Sequence, residues 1–119
     1  MKLPKRRKKA KRPTGRGPVD CRPHLQWIRG HWCCAQGRSS MYPCQGSVEA
    51  HHVKTRGAGG GDNQTVPLCS YHHAQLDSPA WSQPLFEGRY GLDLHAIAAR
   101  LWGNSPHGIK YRRDSERAA

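Results

Sequence analysis

The stretch Cys69-Ser70-Tyr71-His72-His73-Ala74-Gln75-Leu76-Asp77 concentrates metal-binding chemistry. Cys69 and His72 stand in a C-x2-H relation, close enough to bind one ion at the start of a helix. Cys44 and one of the adjacent pair Cys33 and Cys34 complete a set of three thiolates and one imidazole, a common structural zinc type. One cysteine alone would be read as a small buried residue. Four zinc-type side chains at short spacings in a core-poor chain favour the metal. Such a site is worth about 10–16 kcal/mol, more than the whole stability of a typical small domain.

A second set overlaps the first without sharing its atoms. His73 and Asp77 lie at i and i+4 and share one face of a helix. His51 and His52 read as strand residues, whose neighbouring side chains point to opposite sides. A twist or bulge at the strand end would bring both to one site, as ligand and as base. A divalent cation on His73, Asp77 and one strand histidine, with the other histidine as base, is hydrolytic chemistry.

These residues need elements to hold them. Ser47 to Val53 reads as a strand, with Gly46 before it and Arg56-Gly57 after. Residues 57–63 (GAGGGDN) are a loop, and Thr65-Val66-Pro67-Leu68 a second short strand, with Pro67 implying a strand end or an edge. Ser70 suits the cap of a helix carrying Tyr71 to Leu76. Leu25 to Arg29 reads as a short entry helix. A final helix has Asp93 as N-cap, Leu94, Ile97, Ala98 and Leu101 at helical spacing, and Gly103 as its stop. The fold class is α+β, stapled by zinc.

Charge divides the chain. The net charge is +12, and residues 1–17 hold nine lysines and arginines without one acid. The rest carries 11 basic and eight acidic side chains. Residues 1–19 therefore read as a disordered basic arm, 20–104 as one domain and 105–119 as a frayed basic tail. An arm with Lys5, Arg6, Arg7, Lys8, Lys9, Lys11 and Arg12 binds polyanions, phosphate backbones above all. Lys54 and Arg56, beside the glycine loop, are candidates to touch the same backbone. No apolar run is long enough to cross a membrane. Five cysteines mixed with eight histidines fit reduced thiols and an intracellular, cytoplasmic setting better than disulfides. The four tryptophans read as packing residues.

EAHHV (49–53), a glycine-rich loop, then VPLCSYHH (66–73) and a later Asp together resemble the HNH (ββα-metal) endonuclease signature. WIRGHWC (27–33), PCQGSVEAHHV (43–53) and RYGLDLHAIAARLW (89–102) resemble a small zinc-containing branch found mainly in phages and prophages. The resemblance covers roughly residues 24–103. It implies a β-hairpin and a helix around one divalent cation, Mg2+ or Mn2+, held by His51, His73 and Asp77. His52 is then the general base for hydrolysis of DNA to 5′-phosphate and 3′-hydroxyl ends. The structural zinc falls on Cys33, Cys44, Cys69 and His72. The family's central asparagine, which orients the base, falls on Gln64 in this register, with Asn63 beside it. Asp77 stands where many members have histidine. The implied partners are DNA and a recombination or phage-replication protein, in a bacterial or phage-infected cell. The competing reading is a zinc-stabilised nucleic-acid-binding module that does not cut.

Overall fold

A computed structural model describes residues 18–118, a small α+β domain of five helices and one two-stranded sheet. The basic arm, including Lys5, Arg6, Arg7, Lys8, Lys9, Lys11 and Arg12, lies outside the described residues.

Helix α1 (Arg22–Arg29) opens with a proline in its first turn and buries His24 and Ile28, one turn apart. The chain then crosses an irregular segment that presents Cys33 and Cys44. Strand β1 (Val48–His52) follows and pairs antiparallel with β2 (Thr65–Cys69). The register runs without a bulge from Val48 opposite Cys69 to His52 opposite Thr65. Every residue of β2 is buried, whereas β1 is half-buried throughout. Pro67 costs the pair nothing, because a two-stranded sheet leaves each strand one unpaired side. Its carbonyl accepts from the Cys34 N–H at 2.9 Å.

The connection between the strands folds tightly. At Gly60 a Cβ would lie 1.8 Å from the Lys54 carbonyl oxygen, and at Gly61 it would lie 2.6 Å from the Val19 nitrogen. Only glycine lets these backbones approach so closely. The loop is thereby pressed against the residues that lead into α1.

Helix α2 (Ser70–Asp77) begins where β2 ends. Cys69, rather than Ser70, is its N-cap: the thiol accepts from the His72 N–H at 3.4 Å. Ser70 is the first helical residue, and its hydroxyl reaches the Ser47 carbonyl instead. Helix α3 (Gln83–Tyr90) is capped by Ser82, ends at left-handed Gly91, and buries Phe86 and Tyr90. Helix α4 (Leu94–Asn104) has the expected Asp93 cap, whose carboxylate accepts from the Ala96 N–H at 3.1 Å. Gly103 does not stop it. The helix ends at Ser105, held extended ahead of Pro106, as the residue before a proline must be.

Residues 106–118, read from the sequence as a frayed tail, form helix α5. Ser105 Oγ accepts from the Gly108 N–H at 3.2 Å, and Arg112 returns to the Trp102 carbonyl at 3.2 Å. The core runs from β2 (Val66, Leu68) through Leu76, Phe86 and Tyr90 to Leu94 and Ala98. It is small, in keeping with a single phenylalanine.

Candidate functional site

The first cluster is built where β2 meets α2. Cys69 caps the helix and His72 lies one turn in, so both face the segment that carries Cys33 and Cys44. The three thiols lie 3.6, 3.6 and 3.1 Å from Nδ1 of His72, for Cys33, Cys44 and Cys69 in turn. Tetrahedral zinc with ordinary bond lengths sets sulfur and nitrogen about 3.6 Å apart. Nε2 of His72 donates to the Tyr42 carbonyl at 2.9 Å, which fixes the ring with Nδ1 turned to the sulfurs. Burial pulls the His72 pKa down, so the imidazole is neutral and ready to bind. Burial pushes the Cys33 thiol up and, with the neighbouring thiols, the Cys44 thiol to about 12. Cys69 goes the other way: burial opposes its thiolate, but the His72 N–H and adjoining donors outweigh it. The cluster could hold a metal ion such as zinc. Cys34 is not part of it; it packs against the core with its pKa raised to about 12 by burial.

The second cluster joins β1 to the outer face of α2. His51, His73 and Asp77 bring one donor atom each to within 4.8 Å of one another. His73 Nε2 is 3.3 Å from Asp77 Oδ2, and the rings of His51 and His73 are 4.9 Å apart. Burial, reinforced by the nearby His73, pulls the His51 pKa down to about 4, leaving a neutral donor. Asp77 is exposed, so the cluster opens to solvent. Two imidazoles and one carboxylate suit a divalent cation and leave coordination positions free. Glu49 is an addition that sequence reasoning missed. Its Oε1 lies 3.4 Å from His73 Nδ1, which leaves Nε2 for the ligand side. The available signal was strand alternation, which puts Glu49 and His51 on one face.

His52 points the other way, and its partner is neither Asn63 nor Gln64. Nε2 of His52 meets Asp62 Oδ1 at 2.8 Å. Asp62 is fully buried, accepts from the Cys21 N–H at 2.7 Å and pairs with the Arg56 guanidinium. Burial alone would raise its pKa, but bonds from His52, Cys21 and Arg56 outweigh burial and hold it below the usual carboxylate range. Gln64 instead turns to the Gly61 N–H at 3.4 Å, and no side-chain hydrogen bond joins Asn63 to His52 among the described residues. Asp62 is the sole acid between Glu49 and Asp77, the one sequence hint to its role. With the proton on Nε2, Nδ1 of His52 carries the lone pair.

Lys54 is exposed, as a backbone contact requires. Arg56 differs from that expectation: its guanidinium bridges Asp62 and Asp20, at 3.3 Å from the latter, while staying half exposed. Val19 accepts from the Asp62 N–H at 2.8 Å, so the chain leading out of the basic stretch is fastened to the residue that holds His52. Among the described residues no helix is long and apolar enough to cross a membrane. Comparison with protein-family models, curated proteins and solved structures finds no match to this chain.

Proposed function

We propose that the chain is a metal-dependent DNA endonuclease of the HNH type, its ββα unit formed by β1, β2 and α2 and stapled by zinc on Cys33, Cys44, Cys69 and His72. One observation carries the reading. His52, hydrogen-bonded to buried Asp62, directly follows in β1 the His51 that belongs to the solvent-facing His51–His73–Asp77 cluster. A structural zinc module needs only the Cys3His set and has no use for the other two.

In this reading Nδ1 of His52 takes a proton from a water aligned with the scissile phosphorus. A neutral imidazole suits the task at cellular pH. Asp62 holds Nε2–H, keeps the ring in one orientation and offsets the charge of the imidazolium once the proton arrives. His51, His73 and Asp77 would hold Mg2+ or Mn2+, and the chemistry such an ion would supply is neutralisation of charge gathering on the phosphate and the leaving oxygen. Glu49 fixes the His73 ring. Lys54 and the basic arm, tethered through Val19 beside Asp62, grip the phosphate backbone near the cut. A recombination or phage-replication protein would supply the DNA in a bacterial or phage-infected cytoplasm.

The test is cleavage of supercoiled plasmid in Mg2+ or Mn2+, with His73→Ala and Asp77→Ala beside the wild type. The expected result is metal-dependent nicking that both variants lose while keeping their zinc. Intact plasmid with folded, zinc-loaded wild type would instead favour a binding module.

A further inference from the structure

Three of the four tryptophans pack. Trp27 and Trp102 flank His24, with ring centroids 5.6 and 4.9 Å away, and Trp81 lies 6.1 Å from Tyr90 in a stacked arrangement. Trp32 does not. It is 79% exposed, the most exposed large apolar side chain among the described residues. It borders a cleft of about 450 Å³ that reaches from His31 and Gln36 to Val48 and the sulfurs of the Cys3His cluster. That volume falls within the range of about 300–1,000 Å³ common for small-ligand sites.

The lining says what the cleft accepts. It contains an indole face, an imidazole and a primary amide, with no lysine, arginine or acid. Nδ1 of His31 donates to the Trp27 carbonyl at 2.7 Å, which leaves Nε2 as the acceptor of that ring. Gln36 offers both a donor and an acceptor. Zinc on three thiolates and one neutral imidazole would carry a net charge of −1, and an inner wall so charged would repel phosphate. A flat, neutral, hydrogen-bonding ring fits; an anion does not.

We propose that this cleft is a nucleobase subsite, in which Trp32 stacks on one unpaired base of single-stranded DNA. The inference rests on the nucleic-acid reading above and deepens it by naming the form of the substrate. Only an unstacked base exposes a face to the indole, so the site selects single-stranded or locally opened DNA over intact duplex. Val48, on the cleft wall, and His52 stand at opposite ends of β1. Four strand rises separate them by about 13 Å. The captured base therefore lies a few nucleotides from the phosphate presented to His52. Phosphate grip and base capture then fall to different parts of the molecule.

The experiment measures binding of a short fluorescent single strand to the full, zinc-loaded chain by anisotropy, for wild type, Trp32→Ala and Trp32→Phe. Because Trp32 is exposed, both variants should keep the wild-type zinc content and melting temperature. Trp32→Ala should weaken binding about 5- to 150-fold, with Trp32→Phe keeping most of the affinity. The factor should be the same at about 50 and 200 mM salt, because no charge is removed. It should vanish on an abasic strand of equal length. Wild-type binding with a steep salt dependence but no loss in Trp32→Ala would overturn the subsite alone. A loss that persists on the abasic strand would overturn it too. No binding by the wild type would overturn the subsite together with the nucleic-acid reading.

Discussion

Cys33 and Cys34 are adjacent and chemically identical, the first buried and the second half-buried, yet only Cys33 reaches the imidazole of His72. Replacing each in turn with serine separates metal ligation from burial. A Cys3His zinc site is worth about 10–16 kcal/mol, so one donor in four accounts for about 2.5–4 kcal/mol. Losing that share weakens zinc on the order of 10²- to 10³-fold. For a domain of this size about 1 kcal/mol shifts the melting temperature by about 4–8 °C, so Cys33→Ser should lower it by more than about 10 °C. Cys34→Ser exchanges a thiol for a hydroxyl in a half-buried pocket, a change of about 1 kcal/mol. The assay is zinc per chain after dialysis against a weak chelator, with thermal melts on the same samples. Cys33→Ser should come through depleted of zinc and Cys34→Ser fully loaded. Equal zinc retention, or depletion in Cys34→Ser alone, would refute the assignment.

Three further outcomes follow from the same geometry. Asp62→Asn removes the carboxylate that holds Nε2–H of His52, and plasmid cleavage should fall on the order of 10²-fold with zinc content unchanged; full activity would break the link between Asp62 and His52. Burial between Trp27 and Trp102 pushes the His24 pKa down to about 4. Because the folded value is depressed, the unfolded chain takes up this proton first. His24's contribution is therefore whole above about pH 6.5 and is lost by about 3 kcal/mol as the pH falls to about 4. Urea midpoints across that range should fall more steeply in wild type than in His24→Gln, and parallel curves would contradict the account. Finally, exchanging Lys5, Arg6, Arg7, Lys8, Lys9, Lys11 and Arg12 for glutamine should flatten the log–log salt dependence of duplex binding by up to about 6. An unchanged slope would free the arm of any role in DNA binding.

What could be read from residue order was whatever local geometry dictates. The i, i+4 spacing placed His73 and Asp77 on one face, and C-x2-H placed Cys69 and His72 together at a helix start. The two strands on either side of a glycine loop came out within a residue of their ends. Contacts made by irregular chain were not legible. Nothing in GAGGGDNQ dictates which polar side chain turns inward, so Asn63 and Gln64 stood in for Asp62. That choice depends on Val19 and Cys21, whose backbones clasp the aspartate from a distant part of the chain. Cys33 and Cys34 sit in a non-repeating segment where no period tells inside from outside. Helix α3 went unseen because its glycine and mixed polarity blur the pattern, leaving only the Ser82 cap and Gly91 to mark its ends. In α5, seven charged or histidine side chains hid a helix secured by the Ser105 cap and by contact of Gly108 with Trp102. Gly103 was mistaken for a terminator when Pro106 sets the end of α4.

The most direct measurement of the central claim is the rate of supercoiled-plasmid nicking by zinc-loaded protein in Mn2+ or Mg2+, with His52→Ala and an EDTA control. Metal-dependent nicking should fall about 10²- to 10⁴-fold in His52→Ala and disappear in EDTA. Equal cutting by wild type and variant, or none by folded wild type, would contradict a nuclease that uses His52 as its base.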